Sequence, residues 1–344
     1  MRFPRSVRSS DFSRSATVLA VLYAVVRLSL PAPVVAQSPA RTSPSASPFA
    51  YDVRTPPAWR DSLIRSADGV EEYAISFASP LGGRVTGKMF RPTGSVPANK
   101  YAAILFGHGA PGNSDNLGPR GVYFARKGAI VVGIDAAFAR RNPRDPLSFT
   151  VRDSVEQVQT IADFRRLVDI LSSRPDVDTT RLAYVGISYG GAMGAVLAGV
   201  EPRIAAYVLA VGDLGFVAHF REPNGTLGGP LTDIPAAQRD RWVAAMEPVS
   251  GTTYFPGADG AKLFLQSNTQ DEAVLPHVAR SFHAAAPRGT RIKWYESGHR
   301  LTAAHYLDQL VFLNERIGLS APTPQDAAGP VFPPPVAAPN SARR

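Results

Sequence analysis

The chain has 344 residues, 44% of them apolar and 19% charged, which excludes disorder over its whole length. It contains no cysteine, which excludes disulfides, thiolate metal sites and a thiol nucleophile. The formal charge of +9 is partly terminal, with five arginines against one aspartate in residues 1–36, and elsewhere the arginines are scattered. The dense basic face that nucleic-acid binding requires is therefore missing.

Arg2, Arg5, Arg8 and Arg14 precede an apolar run from Ala16 to Val26, and Val34-Val35-Ala36 precede Gln37. A basic start, a short apolar run and small residues before a polar one predict a secretory signal peptide over 1–36, with a mature chain beginning near Gln37 in the periplasm or medium. The run is too short to span a bilayer comfortably. Residues 37–60 carry five prolines among Ser, Ala and Thr and predict a linker. A folded body over 61–320 follows, and the tail 321–344, with seven prolines, predicts a mobile polyproline-like segment.

Within the body, Tyr73–Ala78 and Arg84–Phe90 flank Ser79-Pro80-Leu81-Gly82-Gly83, a strand–turn–strand pattern. Apolar runs at Tyr101–Phe106, Ala129–Ile134, Leu182–Val185, Ala206–Val211 and Lys262–Leu265 lack polar alternation, as strands buried on both faces do. Helical spacing links Val155, Val158, Ile161, Phe164, Val168 and Leu171. An antiparallel entry followed by repeated strand–helix units predicts an α/β layer fold, and chemistry is then sought at the carboxyl ends of the strands.

After Tyr101–Phe106 comes Gly107-His108-Gly109-Ala110-Pro111-Gly112, a turn placed to offer a backbone N–H to a developing oxyanion. Ala110 is the expected donor because Pro111 has none, and His108 is expected to brace the turn. Directly after Leu182–Val185, Gly186-Ile187-Ser188-Tyr189-Gly190-Gly191 is a G-x-S-x-G pattern leading into a small-residue helix. Such a strand-to-helix turn pushes Ser188 Oγ outward, while the helix start supplies a second N–H, from Tyr189. A dinucleotide reading fails, since Gly190, Gly191 and Gly194 do not form G-x-G-x-x-G.

A serine hydroxyl needs a base, and the base an orienting carboxylate. Of six histidines, His299 follows the strand Ile292–Tyr295 in a loop, so it is the expected base. His277, His283 and His305 fall in helical stretches, and His219 falls in an insertion, Asp213–Gly260, expected to form a small lid or else surface decoration packed by its own aromatics. Asp271, beyond the strand Lys262–Leu265, is the expected acid. Its neighbour Glu272 and Asp213, after Ala206–Val211, are alternatives. A second insertion, Ala137–Thr150, carries Arg140, Arg141 and Arg144, expected to be solvated, with a place at the rim attracting acidic groups as the alternative.

The elements His108-Gly109, Asp176-Val177-Asp178 through Arg181-Leu182, Gly186–Gly191, Asp271 with Val274 and Pro276, and Gly298-His299 resemble an α/β-hydrolase of the dienelactone-hydrolase and acetyl-esterase-like serine hydrolase group, over about residues 66–317. The resemblance implies an α/β-hydrolase fold with a mostly parallel eight-stranded sheet, helices on both faces, and a Ser-His-Asp triad. Dienelactone hydrolase proper has a cysteine nucleophile, so its lactone substrate is not carried over to Ser188. The expected function is ester hydrolysis through an acyl-enzyme by Ser188, His299 and Asp271, without cofactor or metal. The expected partner is a small-molecule ester, not nucleic acid, with no stable membrane insertion. Amide, peptide or lactone hydrolysis by the same residues, and a catalytically silent binding protein, are the competing readings.

Overall fold

The computed structural model describes residues 47–142 and 144–332. The segment 1–36 expected to direct export, and residues 333–344 of the tail, lie outside the described residues.

The strands in chain order are β1 (Arg60–Ala67), β2 (Val70–Ala78), β3 (Arg84–Pro92), β4 (Tyr101–Gly107), β5 (Ala129–Ile134), β6 (Val177–Ile187), β7 (Ala206–Ala210), β8 (Leu263–Asn268) and β9 (Arg291–Tyr295). The helices are α1 (Gly118–Ala125), α2 (Val151–Ser173), α3 (Tyr189–Val200), α4 (Phe216–His219), α5 (Ala236–Met246), α6 (Gly251–Tyr254), α7 (Pro276–Ala284) and α8 (Ala303–Ile317). The strands form one sheet in the order β1-β2-β3-β5-β4-β6-β7-β8-β9. Pairings β1/β2, β2/β3 and β3/β5 are antiparallel and the remainder parallel.

The central strands are buried on both faces because two helical layers compete for alternate side chains. In β4, Ala103 and Leu105 join the cluster that includes Ile161, Leu167 and Val168 of α2, whereas Ala102, Ile104 and Phe106 join Phe124 of α1 and Leu310 and Leu313 of α8. Period-two alternation of pointing direction with apolar residues at every position produces the uninterrupted runs seen in the sequence.

Nine strands among the described residues correct the expected eight. The additional one, β1, is an edge strand exposed at seven of its eight positions, so neither face imposes apolar alternation and its polar residues hid it. Val155 is also displaced from its expected role: it is 62% exposed, and the early buried positions of α2 are polar, Asp153, Gln157 and Thr160, with the first fully buried apolar residue at Ile161.

Both flanking segments pack on the body where they are described. In the expected linker, Phe49 is fully buried and Tyr51 donates its hydroxyl to Asp169 at 2.7 Å, while Arg166 donates to the carbonyls of Asp52 and Val53. In the expected mobile tail, a turn at Pro324–Ala328 carries Asp326, which pairs with Lys127 and whose carbonyl accepts from Tyr123. Proline content identified these as extended stretches, but a few aromatic and charged anchors were enough to fix residues 47–59 and 321–332 to the body. Among the described residues no helix is long and apolar enough to cross a membrane.

His305, at the start of α8, is fully buried: its Nδ1 accepts from the Thr302 backbone N–H at 3.0 Å and its Nε2 donates to Asn268 Oδ1 at 2.8 Å. Burial holds its pKa down at about 4, and holds that of His283 at about 4 as well. Between the ordinary histidine value and about pH 4, the unfolded chain takes up these protons and the native chain does not. Stability therefore falls as pH is lowered through that window, and is recovered above it. Thermal melts at pH 7 and pH 4.5 are expected to show a lower midpoint at pH 4.5, with a smaller drop in His305→Gln; an equal drop in both proteins contradicts the assignment to His305.

Candidate active site

Five chain segments converge at the carboxyl edge of the sheet: those after β4, β6, β7, β8 and β9. The turn after β6 is the tightest. Ser188 has φ 55° and ψ −119°, a conformation that costs an L-residue on the order of 1–3 kcal/mol and that surrounding contacts must impose. They are visible here. Ser188 N–H donates to the Ala210 carbonyl on β7 at 2.9 Å, and a Cβ on Gly190 would strike the carbonyl of Gly107 on β4. Gly186 likewise has no room for a side chain against Gly190. The glycines of the motif are thus required by close backbone approach between β4, β6 and α3.

Ser188 Oγ lies 3.0 Å from His299 Nε2. On the far side of the ring, His299 Nδ1 lies 2.9 and 3.0 Å from the two oxygens of Asp271. Asp271 is only 3% exposed, and its Oδ1 also accepts the backbone N–H groups of Ala273 and Val274, at 2.9 and 2.8 Å. Those donors offset the cost of burying the carboxylate and fix its plane. With Nδ1 donating to Asp271, Nε2 is the acceptor for the serine hydroxyl.

The two alternatives to Asp271 are placed elsewhere. Glu272 does not reach the ring but accepts the backbone N–H of His299 at 3.0 Å. Asn268, at the end of β8, donates to the Gly298 carbonyl and is itself held by His305, so the peptide that precedes His299 is tied down at both its carbonyl and its N–H. Asp213 accepts from Gly215 N–H and pairs with His219 Nδ1, each at 2.7 Å. Burial lowers the His219 pKa, but the hydrogen bond and charge of Asp213, with the charge of Asp271, outweigh it and raise the pKa overall. Nothing in the sequence marked His219, because its partner lies six residues away across an irregular turn.

On the β4 side, His108 is 2% exposed and joins two loops: Nδ1 donates to the Gly109 carbonyl at 2.9 Å and Nε2 accepts from the Ala136 N–H at 3.0 Å. Burial lowers its pKa, consistent with this neutral ring. Peptide planarity sets N–H opposite C=O, so the Ala110 N–H points away from the ring that holds the Gly109 carbonyl. Ala110, Ser188, Tyr189 and His299 line one pocket of about 240 Å³, closed by apolar Met193, Phe216 and Val274.

Only the first turn of the 213–260 insertion, Asp213 to His219, reaches that pocket. Further along, Leu231, Trp242 and Met246 gather with Val217 in a small cluster, Trp242 Nε1 donates to Asp153 of α2 at 2.9 Å, and Val249 and Phe255 enter the main core. The first turn of the insertion thus borders the pocket, and the remainder is anchored to the body. In the second insertion, Arg140 pairs with Asp163 at 2.7 Å and Arg141 with Glu156 at 2.9 Å, so these two are engaged with α2; Arg144 is exposed.

Comparison with known proteins bears on the class. The family model "Acetyl xylan esterase (AXE1)" matches residues 61–223, under half of the chain, a stretch that includes Ser188 but ends before Asp271 and His299. Among solved structures, an acetyl xylan esterase from Paenibacillus sp. R4 superposes with a TM-score of 0.62 at 18% identity, covering 76% of this chain and 89% of that one. Acetyl xylan esterase 1 from Thermoanaerobacterium sp. JW/SL YS485 gives 0.61 at 18% identity, covering 75% and 88%. A cold-adapted esterase from an Arctic intertidal metagenomic library gives 0.51 at 16% identity, covering 75% and 99%. A search of curated proteins finds no match. The nine-stranded sheet and these neighbours define an α/β-hydrolase fold of the esterase-like group. Within it, the family-model match over residues 61–223 supports a carboxylic ester hydrolase.

Proposed function

We propose that the protein cleaves short-chain carboxylic esters through an acyl-enzyme, with Ser188 as nucleophile, His299 as general base and acid, and Asp271 as the orienting carboxylate. The observation that carries this reading is the continuous hydrogen-bond chain from Ser188 Oγ through both nitrogens of His299 to Asp271. Ser188 Oγ bonds to the ester carbonyl carbon as its proton passes to His299 Nε2. The negative charge that develops on the carbonyl oxygen is met by the Ala110 and Tyr189 N–H groups. The carbon–oxygen bond to the alcohol then breaks, and His299 returns the proton to the departing alkoxide. Water enters, loses a proton to His299 and attacks the acyl carbon; the acid departs as Ser188 regains its hydrogen.

The pocket supports a small acyl group, and the acetyl xylan esterase model over 61–223 supports acetyl esters of carbohydrate hydroxyls as substrates. The basic and apolar start of the chain supports export of the mature enzyme. A panel of nitrophenyl esters of increasing chain length against aminoacyl amides tests the reading. Acetyl and propionyl esters are expected to be turned over fastest, and amide turnover without ester turnover would reverse the assignment.

Glu272 supplies a finer test. It anchors the His299 backbone without touching the ring, so losing its carboxylate loosens the base rather than removing it. Glu272→Ala is expected to lower kcat about tenfold, the order of one charge-assisted hydrogen bond, with KM little changed. Glu272→Gln keeps an acceptor oxygen and is expected to retain most of the activity; equal losses in both variants would contradict the anchoring role.

A further inference from the structure

We infer that His219, oriented by Asp213, is a specificity-determining residue that hydrogen-bonds a hydroxyl group of the ester substrate in the pocket onto which Ser188 opens. The inference rests on the ester-hydrolase reading above.

Asp213 is 5% exposed and both of its oxygens are committed: Oδ1 to the Gly215 N–H, Oδ2 to His219 Nδ1. The first bond is sufficient to shape the turn after β7. The second fixes an imidazole, and a buried carboxylate that fixes an imidazole also sets which ring nitrogen faces outward. The edge contact with Phe220, at a centroid separation of 5.0 Å, holds the ring further. His219 lines the pocket, its side chain is 28% exposed, and among the described residues its Nε2 has no hydrogen-bond partner. Asp213 thus presents His219 as Asp271 presents His299, but with no serine at the far nitrogen.

The remaining pocket wall narrows what that nitrogen can meet. Ser188 and His299 are occupied with bond cleavage, the Asp213 oxygens are already used, the Tyr189 hydroxyl is hydrogen-bonded to Thr160, and Ala192, Met193, Phe216 and Val274 are apolar. One polar group in an otherwise apolar wall fixes orientation and penalises a substrate that leaves it unpaired. A neutral ring with its proton on Nδ1 offers Nε2 as an acceptor, and a charged ring offers it as a donor. A hydroxyl answers both, a carbonyl only the second, and an alkyl chain neither.

Two matched pairs of esters test this: n-propyl acetate against 1,2-propanediol monoacetate, and methyl butyrate against methyl 3-hydroxybutyrate. The wild-type enzyme is expected to prefer the hydroxylated member of at least one pair by about tenfold in kcat/KM, mainly through KM, the order of one hydrogen bond. The pair that shows the preference identifies the half of the ester facing His219. His219→Phe, which keeps ring volume but no hydrogen bond, is expected to bring the ratio near one, and His219→Gln to keep part of it. Asp213→Asn, which frees the ring, moves the ratio the same way and serves if His219→Phe melts early. A wild-type ratio near one in both pairs, or a preference intact in His219→Phe and Asp213→Asn, overturns the inference. Fluorophosphonate labelling of Ser188 separates the levels: a labelled, ester-cleaving enzyme without hydroxyl preference overturns the role of His219 alone, whereas no labelling and no turnover of any ester overturns the hydrolase reading and this inference together.

Discussion

Ser188→Ala is expected to lower kcat on a nitrophenyl acetate by three orders of magnitude or more, with little change in KM or in melting temperature. The hydroxyl makes one bond, to His299, and its backbone, already held at φ 55° by the glycines and by Ala210, is not asked to change when the oxygen is removed. Catalysis and stability therefore separate at this position. What remains after the substitution is the pair of N–H donors and the pocket, which hold a substrate but form no acyl intermediate. A variant retaining a tenth of the activity would show that Ser188 is not the nucleophile.

Asp271→Asn is expected to cost about three to four orders of magnitude in kcat. The substitution preserves size, and an amide oxygen in the place of Oδ1 still accepts from Ala273 and Val274. Its NH2 then faces His299 Nδ1, which must give up its proton to accept, and Nε2 carries the hydrogen instead. A ring in that tautomer cannot take a proton from Ser188. Asp213→Asn, measured beside it on the same simple ester, is expected to lose at least a hundredfold less, since Asp213 bonds His219 and not His299. A larger loss in Asp213→Asn than in Asp271→Asn would place the acid at the end of β7 and not of β8.

The difference between Asp271 and Asp213 also marks the limit of what the chain discloses before folding. Ser188 and His299 were legible because their motifs are local: a glycine pattern that only a tight turn explains, and a histidine in a loop directly after a strand. The buried strands were legible because a sheet covered on both faces leaves apolar residues in succession. The choice of carboxylate depended on how two irregular loops, after β7 and β8, lie relative to a third, and spacing carries little of that. Glu272, adjacent to Asp271, turned out to serve the same histidine through its backbone, a role that composition cannot distinguish from a solvated surface charge. The edge strand β1 and the anchored segments 47–59 and 321–332 were obscured for a related reason. β1 is placed by its backbone ladder with β2, and the two segments by a few side-chain anchors, such as Phe49 in the core and Asp326 against Lys127, within sequence that is otherwise proline-rich or polar. His219 is the strongest case: its pairing with Asp213 exists only once the first turn of the insertion folds back over the pocket.

The most direct test is reaction of the folded, full-length protein with a fluorophosphonate ester, followed by digestion and mass-spectrometric location of the adduct. The hydrogen-bonded arrangement at the end of β6 predicts a single modification, on Ser188, that is abolished in Ser188→Ala and strongly slowed in His299→Ala. An unmodified Ser188, or an adduct that forms equally fast without the imidazole of His299, would show that the three converging side chains do not activate this hydroxyl.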